Sequence, residues 1–443
     1  MKKRIYIFTL IFFGIAISIV LVRFYLSAHE SYAMLDRKGP QANMREWKLT
    51  REYALQLDER LQKNPNDVKA SLALSTLFLQ EARVTGNYIY YDRAALHYVN
   101  LVLKSDPSNF EALTFQALIY LSQHHFSEGL AIAEKARNLN PYNAFIYGIL
   151  VDAQVEMGNY DSAVEDADQM VSIRPDLRSY SRVSYLREIY GDYPGAIEAM
   201  QMAVDAGVPG AESTEWARIQ LGHLYEYTGD FRRAEMHYTI ALNERPDYPY
   251  AVAGLGRIAL ASKDIPKAIQ FFHQADSLIN DYSFKEELVD IYHLSGQHDK
   301  AEKLSEQVIE SMNRDAGQAQ NNQNIGHYAD KELAIAYLKT GNFDKALDHA
   351  LLEYNRRPDN IDVNETLAWV YYSKGDVEKA IQYIKTALRT RSKNPVLLSH
   401  AGLIFAKAGQ KDLAKSTLQE SLKLNPNIDG ALKIATVRAL ENL

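Results

Sequence analysis

One interval recurs along this chain. Pro107, Pro141, Pro175 and Pro209 stand 34 residues apart, and Gly341, Gly375 and Gly409 repeat the spacing. Self-similarity at such a period restricts the fold to a stack of like supersecondary units, because one unit cannot bury its apolar face alone. Glycine followed by Asp, Asn or Gln also occurs at Gly86, Gly158, Gly191, Gly229 and Gly296. Five residues beyond most of these glycines stands an alanine: Ala163, Ala196, Ala234, Ala301, Ala346, Ala380 and Ala414.

Each unit reads as a helical hairpin. Apolar residues at three- and four-residue spacing on both sides of the glycine predict two amphipathic helices. Glycine permits the sharp turn, and the Asp or Asn beside it can cap the second helix. The alanine lets the two helices approach closely. The proline stops the second helix before the next hairpin begins.

These units resemble the tetratricopeptide repeat family. The best match runs from Thr214 to Pro246, where Leu221, Gly222, Tyr225, Gly229, Ala234, Tyr238, Ala241 and Pro246 occupy signature positions. Ten such units are counted, at about 67–107, 110–141, 144–175, 177–209, 215–246, 249–280, 282–313, 327–358, 361–392 and 395–426. The resemblance implies an all-α, right-handed α-solenoid of about ten hairpins. Some units depart from the pattern. The first carries extra residues between its helices. His124 and Lys263 replace turn glycines, while Asn280, Asn313 and Ser392 replace terminal prolines. Between units seven and eight the glycine spacing stretches from 34 to 45 (Gly296 to Gly341) through a polar, Gln/Asn-rich insertion at 314–326, expected as a loop or an extended helix end.

The ends of the chain frame the array. Lys2, Lys3 and Arg4 precede an apolar run over residues 5–22. As a helix it would span about 27 Å, close to a bilayer's hydrocarbon core. Residues 1–27 are therefore expected to be a transmembrane anchor, or else a signal sequence. The basic N-terminus favours a cytoplasmic start with the array extracytoplasmic, periplasmic if the source is bacterial. Residues 28–66 are expected to form a linker and a capping helix. Units one to seven then fill 67–313, units eight to ten fill 327–426, and a closing helix covers the last apolar face within 427–443.

Few chemistries survive this reading. The chain has no cysteine, which removes disulfides, thiolate metal sites and a cysteine nucleophile. A mixed net charge of -7 without basic blocks gives no nucleic-acid signature. The stretch "GLGRIA" at 254–259 imitates a dinucleotide fingerprint but falls inside a helix, with Gly256 at the small packing position. No metal, cofactor or catalytic motif stands out, and the chain reads as a non-enzyme.

Binding is then the expected function, and the resemblance implies where. In such arrays the first helix of each hairpin lines a concave groove. The corresponding positions here include Phe145, Asp152, Arg178, Tyr185, Glu188, Trp216, His223, Tyr250, Arg257, Tyr328, Trp369 and Tyr372. Ser181, Glu226, Glu286, Asp290, His293, Lys331, Asp362 and Glu365 share that face. Aromatics with mixed charge suit a protein or peptide interface. A membrane-tethered scaffold for a protein partner follows, in a setting such as envelope complex assembly or quality control. The alternatives are a glycan-binding solenoid and a non-catalytic subunit of an enzyme complex. One position breaks the pattern. Arg187 stands where Tyr120, Tyr225, Tyr292, Tyr337 and Tyr371 stand in other units, and Gln154 is its polar counterpart one unit earlier. Arg187 is expected either to pair locally with an acid or reach out to solvent, or to join Gln154 in a polar seam between units three and four that opens onto Asp152 and Tyr185; Arg182 is expected to be solvated.

Overall fold

A computed structural model describes residues 12–15, 17–18, 31–319, 326–428 and 430–443. Most of the expected anchor lies outside these residues. Among the described residues, no helix is long and apolar enough to cross a membrane.

From residue 45 onward the described residues form twenty-two α-helices and no strand. Helix α1 (Arg45–Lys63) caps the array. The hairpins follow as α2 (Val68–Thr85) with α3 (Tyr88–Ser105), α4 (Phe110–Ser122) with α5 (Phe126–Leu139), and α6 (Ala144–Met157) with α7 (Tyr160–Ile173). Next are α8 (Leu177–Ile189) with α9 (Tyr193–Asp205), α10 (Glu212–Tyr227) with α11 (Phe231–Glu244), and α12 (Pro249–Ala261) with α13 (Ile265–Leu278). Then come α14 (Tyr282–Leu294) with α15 (His298–Ala319), α16 (Asp330–Lys339) with α17 (Phe343–Arg356), α18 (Ile361–Lys374) with α19 (Val377–Ala387), and α20 (Pro395–Lys407) with α21 (Lys411–Leu424). Helix α22 (Gly430–Glu441) packs on the last hairpin. The insertion begins as a helix extension, since α15 runs 22 residues.

The repeat pattern has a direct physical counterpart. All seven repeat alanines, Ala163, Ala196, Ala234, Ala301, Ala346, Ala380 and Ala414, are fully buried where the two helices cross. Across from Ala196 sits the small Ser184, whose hydroxyl donates to Ala196 O at 2.7 Å. A Cβ on Gly256 would reach to 2.8 Å from the Phe272 ring, so "GLGRIA" is a helix-packing surface of α12. The repeated tyrosine is buried too. Tyr225, Tyr292, Tyr337 and Tyr371 each lie under a cation eight residues on, from Arg233, Lys300, Lys345 and Lys379 at 4.8–5.4 Å.

After about six units the array returns to itself. The Asn280 amide, at the end of unit six, donates to the Thr85 carbonyl in the turn of unit one at 3.2 Å. The Tyr328 amide, entering unit eight, donates to Gln123 O in the turn of unit two at 3.1 Å. His124 Nδ1 bonds back to Tyr328 O at 2.8 Å. The Ile361 amide of unit nine donates to the Tyr160 hydroxyl of unit three at 2.9 Å, and Asn360 Nδ2 donates to Val155 O at 3.3 Å. The turn of unit four faces Arg391, and that of unit five faces Leu424. The inner surface of the coil is thereby walled on its open side by the next turn of the same chain.

The N-terminal segment joins this closure. Residues expected as linker pack on α3, with the Leu35 amide on Tyr91 Oη at 3.0 Å and the Tyr90 hydroxyl on Ala33 O at 2.7 Å. Arg37 is buried and bonds Glu81 of α2 and Glu46 of α1. Glu46 in turn receives Arg245 of unit five at 2.9 Å. Such a chain of alternating charges is strongly destabilised when one member is removed, because its neighbour stays buried without a partner.

Candidate functional site

The first helices of the middle units turn a shared face toward the coil interior. Tyr185 of α8 is 41% exposed. Its phenol is nevertheless pushed well above the ordinary range, first by desolvation and then by Asp362, Glu156 and Glu188. A side chain that water reaches but protein surrounds lines a concavity. Asp362 belongs to α18 and Glu156 to α6, so three separate units meet there.

Carboxylates dominate this space. Burial and the nearby Asp362 raise the Glu188 carboxyl to about 7. Burial also raises Glu286 to about 7, helped by Asp290, Glu332 and Asp281 and opposed by Lys339. Burial works against the charge on Lys331, but Asp362, Glu332 and Glu156 outweigh it and raise the ammonium. Tyr227 is raised by burial, Glu188 and Glu226, with a smaller push from Glu287. These mutual influences place residues of units three to five and seven to nine around one interior.

The cations are held by the carboxylates. Arg257 donates to Glu226 Oε2 at 2.9 Å and to His223 Nε2 at 2.5 Å. Burial and that guanidinium push His223 well below its ordinary range, so the ring is neutral and Nε2 accepts. Lys339 donates to Asp290 at 2.7 Å. Aromatics fill the remainder. Trp216, 38% exposed, stands edge-on to Tyr250 at 5.0 Å, and Tyr250 packs on Tyr248 and Phe284. Trp369 is sandwiched between Tyr372 at 4.7 Å and His400 at 4.0 Å. Arg178 lies over the Phe145 ring at 4.9 Å.

Three expectations need correction. Tyr328 is taken up in the contact between turns of the coil. Its ring stacks on His125 at 4.0 Å beneath the Arg356 guanidinium at 4.3 Å. The polar seam of Gln154 and Arg187 does not form. Gln154 bonds Asn159 in its own turn at 2.9 Å. Arg187 donates to Gly195 O at 3.1 Å and lies 3.6 Å from Glu198, both on α9. Gly195 stands eight residues on, where other units place the cation that covers their tyrosine, so the guanidinium occupies space a side chain would fill. Arg182, expected as solvated, is instead the residue that ties units three and four. It donates to Gly148 O at 2.8 Å and to Asp152 at 2.5 Å.

Sequence reasoning also missed Glu156 and Tyr227. Each precedes its turn glycine, Gly158 or Gly229, by two residues. That is one helical position past the last one the groove pattern assigns; Glu156 there bonds Arg357 of the next turn and acts on Tyr185, and Tyr227 is acted on by Glu188.

The fold and this lining define a helical-repeat array with a polar, aromatic inner face. Tetratricopeptide repeat models match residues 219–283 and 331–395, and a further one matches 397–428, so the chain carries tetratricopeptide repeats. Over 90 residues it is 33% identical to the Photosystem I assembly protein Ycf3 of Prochlorococcus marinus (strain NATL2A). The match takes in 18% of this chain and 52% of that one, so the chain spans about half the length of this curated relative. Among solved structures, a tetratricopeptide repeat protein from Parabacteroides merdae aligns with a TM-score of 0.41 at 17% identity, over 53% of this chain and 88% of that one. PilW, a type IV pilus biogenesis factor, aligns with a TM-score of 0.38 at 18% identity, over 45% and 91%.

Proposed function

We propose that this chain is a non-catalytic scaffold that holds a protein partner against the inner face of its coil, as part of the assembly of a larger complex. One observation carries the reading: solvent-reachable tyrosine and tryptophan side chains and underpaired carboxylates from several units converge on one concave surface. Aromatics of this kind supply contact area at low entropic cost and concentrate binding energy. The Photosystem I assembly protein to which the chain is similar is, by its name, an assembly factor, which fits this role. We also propose that the apolar run at 5–22 tethers the array to a membrane as a single-pass anchor, with the array on the extracytoplasmic side.

In-cell photo-crosslinking followed by fractionation tests both statements. A photoreactive phenylalanine replaces Tyr185 or Trp216 inside, or Tyr142, which is 84% exposed on the chain's surface. The expected result is a discrete protein adduct from the two interior sites and none from Tyr142, recovered in the membrane pellet. Adducts from Tyr142 alone would refute the interior site. Recovery of the full-length chain in the soluble fraction would refute the tether.

A further inference from the structure

The contact between turns of the coil differs in kind from the packing along it. Successive hairpins share apolar cores, as where Phe272, Leu288, Val289 and Ile291 pack together. Across the turns one apolar residue, Ile361, is buried against Val155, Tyr160, Leu186 and Ile189. The other contacts are mainly backbone hydrogen bonds, the stacked ring of His125 on Tyr328, and charged groups, with Arg389 over the Tyr160 ring. Arg357 bonds Glu156, and Arg389 donates to both Gly158 O and Asp359 O. An interface held by one buried aliphatic side chain and polar bonds opens at lower cost than one that shares a continuous apolar core.

The turn glycines show how tight it is. A Cβ on Gly86 would overlap the carbonyl of Asn280, one on Gly158 would overlap that of Asp359, and one on Gly191 would lie 2.7 Å from Arg391 O. Gly296, Gly341, Gly375 and Gly409 adopt the same left-handed backbone, yet a Cβ there would meet nothing within 4 Å. The left-handed backbone favours glycine at all seven positions. Only the early ones are also pressed against another turn of the chain.

The interior site borders this contact directly. Asp362, which bears on Tyr185 and Glu188, follows Asn360 and Ile361, the residues that bond Val155 and Tyr160 across it. Parting the turns carries Asp362 away from Glu188. We propose that the contact between turns of the coil is a gate: it parts to let a polypeptide enter the interior from the side and recloses around it. This rests on the reading of the interior as the partner site.

The test needs no partner, so its failure is distinct from failure of the binding site. The chain has no cysteine, so Glu188→Cys introduces a unique interior thiol. Its reaction with N-ethylmaleimide and with a long polyethylene glycol maleimide is timed in three backgrounds: otherwise unchanged, Gly158→Ala and Gly375→Ala. The small reagent should react in all three. The polymer should react slowly in the unchanged and Gly375→Ala backgrounds, and about tenfold faster in Gly158→Ala, as a minor open state gains population. Gly375→Ala carries the same local strain without the contact. Equal polymer rates in Gly158→Ala and Gly375→Ala would overturn the gate, as would a polymer rate matching the small reagent in the unchanged protein. Should Gly158→Ala lose its helical circular dichroism, Arg389→Ala removes the bonds to Gly158 and Asp359 without strain. It must then speed the polymer reaction, and an unchanged rate overturns the proposal.

Discussion

Glu188 shows how the interior sets the charge of a single residue. Among the described residues, burial and Asp362 alone govern its carboxyl, and they lift it from 4.5 to about 7. The folded chain therefore binds this proton more tightly than the unfolded one does. Below 4.5 the group is neutral in both states and costs nothing. As pH rises through 4.5 toward 7 the unfolded chain loses the proton more readily, so stability falls, and above 7 the loss is complete. Glu188→Gln should thus melt like the parent at pH 4 and progressively higher than the parent between pH 5 and 7, with a constant difference beyond. A melting difference independent of pH, followed by thermal circular dichroism, would mean that Glu188 is solvated and the interior open. At this scale the sequence was partly legible. Ser184 and Ala196 pack as the repeat demands, with the Ser184 hydroxyl on Ala196 O at 2.7 Å. The role of Arg182 was not legible, because which way it turns depends on a carbonyl at Gly148 that periodicity does not reveal. For Arg187 local pairing was one of two readings, and the open space at Gly195 that lets it approach Glu198 decides between them.

The hairpin is the element at which departures from the repeat acquire meaning. His124 and Lys263 both take the left-handed backbone where other turns use glycine, at φ 62° and 63°. Such a conformation costs about 1–2 kcal/mol for a residue with a Cβ. Lys263 is exposed in unit six, and among the described residues no later turn of the coil bonds to it. His124 instead bonds Tyr328 O and packs on Phe126 and on His327 at 4.2 Å. Lys263→Gly should therefore raise the melting temperature, while His124→Gly should lower it or leave it unchanged, since the relief of strain is offset by the lost contact. If both variants gain equally, the histidine contributes nothing to closure. Asn280 follows the same logic: a proline there would have no amide hydrogen to donate to Thr85. Three breaks in the pattern, His124, Asn280 and Ser392, thus fall where the chain meets itself, the last between Arg391 and Lys393, which face Gly191. Lys263 and Asn313 do not, so irregularity alone did not mark the contact.

On the scale of the whole molecule, the repeat was legible because every relation that defines it spans 34 residues or fewer. The closure was not, because it joins residues about 200 apart: Tyr160 with Ile361, and His124 with Tyr328. No local pattern encodes how many units complete a turn, since that number accumulates from small rotations between neighbours. The sequence offered Tyr185, Glu188 and Asp362 singly, as separate groove candidates, with no sign that the three share a space. Everything proposed for the interior depends on that closure. Distance measurement by pulsed electron paramagnetic resonance tests it most directly, with spin labels on cysteines introduced at the exposed positions Asp161 of α7 and Lys385 of α19. These sit near Tyr160 and Arg389, which meet across the contact at 5.0 Å. A closed coil predicts one narrow distribution near two helix diameters, roughly 20 Å. A broad distribution centred far beyond it would mean that the array is an open spiral in solution.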